Sequence, residues 1–234
     1  MTGAIKFDTA VTLVGAGALE DAMVRSALVH APRLVAADGA ADRLAHMRLT
    51  PDAVIGDMDS VQNPGEWQRP GVRFLHLAEQ DTTDFEKCLY STEAPFYVAV
   101  GFTGGRVDHS LAVLHVLLSY RDRPIVVVGE AEVSALIPPG RRLRIAVEPG
   151  ERVSLYPLVP VRPGRSRGLV WPIDGLDMAP GHRIGTSNEA AGPVVEIEYD
   201  DPGMLLMLAP QRLAALIGAV APGREAAPVS SPAR

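Results

Sequence analysis

Cysteine is nearly missing from this chain. Cys88 is the single one in 234 residues, so no internal disulfide can form and a cysteine-based zinc site is not expected. That usage fits a reducing cytoplasm. Basic charge is also scarce: 22 Lys and Arg stand against 28 Asp and Glu, a formal net charge of −6. Duplex binding relies on clustered cations that neutralise phosphates, so a nucleic-acid partner is not expected. An anionic ligand would need a metal ion as go-between. No apolar run reaches the roughly 18 residues a membrane helix requires, and no basic segment leads into an apolar stretch at the start. The expectation is a cytoplasmic protein without a membrane partner. Hydrophobic residues still make up 47%, enough for a substantial core in one large or two small domains.

What the chain does have is acid in a pattern. Asp57 and Asp59 sit in Ile55-Gly56-Asp57-Met58-Asp59-Ser60, Asp81 and Asp84 in Gln80-Asp81-Thr82-Thr83-Asp84, and Asp108 in Gly104-Gly105-Arg106-Val107-Asp108-His109. Each cluster lies where an apolar run stops. Carboxylates packed together repel unless a cation such as Mg²⁺ shares their oxygens. The reading is a Mg²⁺-phosphate site.

The apolar runs set the fold expectation. Val11-Thr12-Leu13-Val14, Leu34-Val35-Ala36-Ala37, Ala53-Val54-Ile55, Val72 to Leu77, Phe96 to Val100 and Ile125-Val126-Val127-Val128 alternate with helical patterns. Such alternation predicts an α/β domain over 1–131 with a mainly parallel sheet covered on both faces. Ligands in such sheets bind beyond the carboxyl ends of the strands, where the acidic clusters fall. From about Glu132 the pattern changes to short runs such as Leu143 to Val147 and Val194 to Tyr199, cut by Pro and Gly turns. That predicts a smaller all-β sandwich domain over 132–221. The stretch 222–234, rich in Pro, Ala and Ser, is expected to be a flexible tail.

Several of these residues also have a purely structural reading. Asp57 and Asp59 fit a polar turn closing a strand, with Gly56 allowing the turn to be tight. Thr83 followed by Glu86 is a capping-box pattern, and Asp84 in a first turn complements the helix dipole. Asp108 fits a cap for a helix starting near His109, and His109 reads as support rather than as a general base. Arg106 offers a planar fork to phosphate oxygens, and Gly104 and Gly105 let backbone approach a ligand. Gly15-Ala16-Gly17 with Asp38 imitates a dinucleotide fingerprint, but Glu20 replaces its third glycine, so NAD binding is not expected.

Taken in order, Ala37-Asp38-Gly39-Ala40-Ala41, Gly56-Asp57-Met58-Asp59-Ser60, Gln80-Asp81-Thr82-Thr83-Asp84, Gly104 to His109 and Gly185-Thr186-Ser187-Asn188-Glu189 resemble the motif series of the thiamine pyrophosphokinases. The resemblance runs from about Val11 to Leu208. It implies transfer of the β,γ-pyrophosphoryl group of Mg²⁺-ATP to the hydroxyl of thiamine, releasing AMP, by a homodimer with thiamine near the subunit interface. It implies Asp57, Asp59 and Asp84 as the catalytic metal core and Asp38, Asp81, Thr83, Arg106 and Asp108 as nucleotide residues. For thiamine it implies Gln80, Trp171 and Ser187, the indole suiting a flat cationic substrate by stacking and cation-π attraction. The structural reading of Trp171 is a core tryptophan. Val113 stands where many members have Asn, which removes a hydrogen bond but no metal carboxylate. Two other readings keep the site: a pyrophosphokinase for another heterocyclic alcohol such as a hydroxymethylpterin, and a sensor that binds nucleotide or thiamine without turnover.

Overall fold

The computed structural model describes residues 3–62 and 64–221. The expected flexible tail at 222–234 lies outside the described residues. The chain divides into two compact units, Met1–Ser134 and Ala135–Arg234.

The first unit runs β1 (Ile5–Lys6), β2 (Val11–Val14), α1 (Asp21–His30), β3 (Arg33–Ala37), α2 (Ala40–His46), β4 (Ala53–Gly56), α3 (Pro64–Trp67), β5 (Arg73–His76), α4 (Asp84–Ser91), β6 (Thr92–Glu93), β7 (Tyr97–Val100), α5 (Val107–Ser119) and β8 (Ile125–Val128). Every residue of β2, β4, β7 and β8 is buried. A strand covered on both faces needs no polar alternation, which is why these segments read as unbroken apolar runs. They pair in parallel in the order β5-β4-β3-β2-β7-β8. The chain leaves β2 in one direction for β3, β4 and β5, then returns to β2's other edge with β7. The strand order therefore reverses between β2 and β7, a point where neighbouring loops diverge and leave a crevice.

One local detail departs from the sequence reading. Helix α5 begins at Val107 with Arg106 as its N-cap, so Asp108 sits inside the first turn and does not cap it. The reason is that Arg106 already has extended backbone, leaving Asp108 helical. Trp67 closes the short α3 and is 1% exposed, and its indole Nε1 donates to Asp42 Oδ1 at 3.3 Å. It is a core residue that ties the segment after Asp59 to α2.

The second unit contains β9 (Val133–Leu136), which straddles the division, then β10 (Leu143–Ala146), β11 (Arg152–Pro157), β12 (Arg165–Arg167), β13 (Gly185–Glu189), β14 (Val194–Glu198), β15 (Met204–Leu208) and α6 (Leu213–Val220). Strands β10, β14 and β12 pair antiparallel in one sheet, and β13, β11 and β15 pair antiparallel in another. Strands β10 and β14 alternate buried and more exposed residues, as half-covered strands do. The sequence reading omits β12, β13 and β15. No helix among the described residues is long and apolar enough to cross a membrane.

Candidate active site

Five loops of the first unit leave the carboxyl ends of β2, β3, β4, β5 and β7, and together they enclose a cavity of about 780 Å³. Gly15 to Ala18, Asp38, Asp57, Asp59, Gln80, Thr83, Asp84 and Gly104 to Arg106 all line it. The Gly15-Ala16-Gly17 run has a packing explanation here. A Cβ on Gly15 would lie 2.6 Å from the Gly101 carbonyl oxygen, so glycine lets the ends of β2 and β7 approach. Arg43 of α2 then donates to the carbonyl oxygens of Ala16, Gly17 and Leu19, at 3.1, 2.6 and 2.9 Å. The guanidinium thus satisfies three carbonyls of this loop.

The carboxylates of Asp38, Asp57 and Asp59 each offer an oxygen within 4.8 Å of the others. Their backbone explains the gathering. Asp38 follows β3 with φ 46° and Met58 lies between the other two with φ 64°, a left-handed conformation that ordinary residues adopt rarely. The tight turn expected of Gly56 is thus made by Met58. Gly56 does something else: a Cβ there would meet Asp38 Cβ at 2.8 Å, so its missing side chain is the space that Asp38 occupies. Asp38 is 3% exposed. Its Oδ2 accepts from the Ser60 amide at 3.3 Å, whereas its Oδ1 is buried with no hydrogen-bond partner among the described residues. A buried, unsatisfied carboxylate oxygen is costly. Burial, reinforced by the charges of Asp57 and Asp59 and opposed by the Ser60 and Gly39 hydrogen bonds, raises the Asp38 carboxyl above its ordinary range.

Asp57 has the opposite balance. Burial pushes it up, but Gln80, the Asp59 amide and Lys87 outweigh that and hold it below the usual carboxylate range. Gln80 Nε2 donates to its Oδ2 at 2.6 Å, the Asp59 amide to its Oδ1 at 3.3 Å, and Lys87 Nζ to Oδ2 at 3.4 Å. Lys87 also lies 3.6 Å from Asp84 Oδ1. It is the residue that sequence reasoning missed, because lysine on a helix ordinarily reaches water. The signal available was its position three residues after Asp84, a spacing that puts opposite charges on one helix face. Asp84 is raised by burial first and then by Asp38, with Lys87 pulling the other way.

The close group therefore contains Asp38, and Asp84 lies beside it, linked to Asp57 through Lys87 and raised by the Asp38 charge. Thr83 caps α4 as expected, its Oγ1 accepting from the Glu86 amide at 3.2 Å. Asp81 is not among the cavity-lining residues. It belongs to a turn organised by Glu79, which accepts from the amides of Asp81 and Thr82 at 2.9 and 3.0 Å, from the Thr82 hydroxyl, and from Tyr90 Oη at 2.9 Å. Those bonds, the Thr82 hydroxyl foremost, lower the Glu79 carboxyl to about 2. Arg106 lines the cavity and Asp108 does not; the two form a bidentate pair. The pairing follows from Asp108 lying in the first turn of α5, two residues beyond the Arg106 fork. His109 and Val113 line the cavity as well.

In the second unit Trp171 is 58% exposed, so the core-tryptophan reading is overturned. Asn188 fixes its backbone in both directions, accepting from the Trp171 amide at 3.2 Å and donating to its carbonyl at 2.7 Å. Ser187 beside it is exposed with φ 59°, its amide donating to Ser154 Oγ at 3.0 Å.

Comparison with known proteins gives two family matches. The model for the thiamin pyrophosphokinase catalytic domain matches residues 24–128, and that for the thiamin pyrophosphokinase vitamin B1 binding domain matches residues 142–204. The chain belongs to the thiamin pyrophosphokinase family. Thiamine pyrophosphokinase 1 of Arabidopsis thaliana is 28% identical over 202 residues, covering 73% of this chain and 76% of its own length. Thiamine pyrophosphokinase 1 of Oryza sativa subsp. japonica is 29% identical over 197 residues, covering 71% and 75%. The crystal structure of thiamin pyrophosphokinase from Geobacillus thermodenitrificans superposes with a TM-score of 0.71 at 25% identity, covering 86% of this chain and 97% of the other. The two-unit α/β architecture with a β-rich second unit is that of the thiamin pyrophosphokinases.

Proposed function

We propose that the chain is an ATP-dependent thiamine diphosphokinase: the thiamine hydroxyl oxygen bonds to the β-phosphorus of ATP and gives up its proton to the medium, the bond from that phosphorus to the α-phosphate oxygen breaks, and AMP leaves. The carrying observation is the buried, unpartnered Oδ1 of Asp38 within the Asp38, Asp57 and Asp59 group. Three carboxylates with a free buried oxygen and no histidine or thiolate form a hard, all-oxygen donor set, which suits Mg²⁺. When bound, Mg²⁺ would neutralise phosphate charge and orient the triphosphate.

The chain's own residues supply the rest. Asp38, Asp57 and Asp59 would hold the ion, with Asp84 adding negative charge beside Lys87. Gln80 keeps Asp57 oriented. That contact favours a supporting role for Gln80 in the acidic group over its assignment to thiamine. Arg106, 71% exposed on its side chain, can turn its fork from Asp108 to phosphate oxygens, and Asp108 then serves as its resting partner. Thr83 and Asp81 act through the turn that leads into α4. Trp171 offers an exposed indole face for stacking on thiamine, with Ser187 as a polar neighbour. By family likeness the working form is a homodimer with thiamine near the subunit interface, acting in the cytoplasm.

The test is incubation with MgCl₂, ATP and thiamine, or a hydroxymethylpterin, with nucleotide products resolved by mass spectrometry. Thiamine-dependent AMP is expected. ADP would indicate single-phosphoryl transfer, AMP only with the pterin would change the acceptor, and no nucleotide product would favour a sensor.

A further inference from the structure

A lysine buried to 2% exposure is unusual, and its charge must be answered inside the protein. Lys87 Nζ has two carboxylate neighbours, Asp57 Oδ2 at 3.4 Å and Asp84 Oδ1 at 3.6 Å. These come from different loops, the first after β4 and the second at the start of α4. Lys87 thus bridges Asp57 of the close group and Asp84, the fourth carboxylate, which also feels the charge of Asp38, so that mutual repulsion would otherwise drive the loops apart. We infer that Lys87 is a resident counter-ion of this site: it holds the acidic loops together in the metal-free protein and offsets part of the field that a divalent cation meets. The inference rests on the metal reading above.

A merely structural ion pair would be needed equally with and without the ion. A counter-ion would not, because a bound divalent cation supplies positive charge to the same carboxylates and relieves the repulsion that the missing lysine leaves. The experiment is thermal unfolding of wild type, Lys87→Met and Lys87→Arg in excess EDTA and in excess MgCl₂, without ATP or thiamine. Lys87→Met is expected to melt about 5 °C or more below wild type in EDTA and to recover at least half of that deficit in MgCl₂. Lys87→Arg, which keeps the charge, should follow wild type in both. Lys87→Gln, neutral but polar, guards against a packing defect peculiar to methionine and should recover in the same way.

Equal deficits with and without MgCl₂, or no deficit at all, would overturn the inference. So would failure of both neutral variants to fold in MgCl₂, since the ion would then not replace the lysine. A wild type whose melting temperature ignores MgCl₂ would instead sink the metal reading, and this inference with it.

Discussion

Asp57 and Trp171 are supported in opposite ways. Asp57 is gripped at its side chain by Gln80, Lys87 and the Asp59 amide, whereas Trp171 is gripped at its backbone by Asn188 and leaves its indole exposed. The contrast follows from the chemistry asked of each. A carboxylate brought near other carboxylates must be fixed before the ligand arrives, or repulsion moves it. A stacking platform needs only its face free and its root held. The first unit carries left-handed residues such as Asp38 and Met58 together with an unsatisfied buried oxygen, whereas beside Trp171 the second has one left-handed non-glycine residue, Ser187, and no unsatisfied buried side-chain atom among the described residues.

The contrast breaks most sharply at Asp57. Asp57→Asn is expected to lower kcat by at least about 10³-fold, because charge stabilisation of several kcal/mol depends on the ion it helps hold, while circular dichroism stays that of wild type. Near-normal turnover would remove Asp57 from the cation group. Trp171→Ala is expected to raise KM for thiamine roughly 5- to 30-fold with KM for ATP unchanged; equal rises in both would make it a structural residue. Thr83→Ala should cost about 1 kcal/mol of stability, a fall of about 2–4 °C in melting temperature, through loss of the α4 cap. An unchanged melting temperature would mean the cap bond contributes nothing.

The smallest effect concerns acid. Glu79 is lowered to about 2 from an ordinary 4.5, so its stabilising contribution is complete above about 4.5 and is lost as pH falls toward 2. Glu79→Gln should flatten the acid limb of stability in that window, and a limb of unchanged steepness would show that the Glu79 turn is not what titrates there.

Legibility in the sequence followed the range of the forces involved. Strands β2, β3, β4, β7 and β8 were readable because burial on both faces writes itself as unbroken apolar runs, and their carboxyl ends located the acidic loops; β5 was read although none of its residues is buried, and the two-residue β1 and β6 were missed. The capping box at Thr83 was readable because it is local. Met58's left-handed backbone and the space that Gly56 leaves for Asp38 depend on β3 and β4 lying side by side, which no spacing in the chain encodes. Asp84 lay in the same motif as Gln80 and Thr83 and so looked as close to Asp57 as Asp59 does; Lys87, reading as an ordinary helix lysine, hid the gap between them. Asp108 shared a motif with Arg106, yet the early start of α5 carries it off the cavity wall. Strand β13, Gly185–Glu189, is polar with one buried residue, so it has no apolar signature to find.

The most direct measurement is anomalous diffraction from crystals soaked in MnCl₂, manganese standing in for Mg²⁺. A peak at coordination distance from Asp38, Asp57 and Asp59 together is the predicted result. A peak bound elsewhere, or none at that group, would contradict the account.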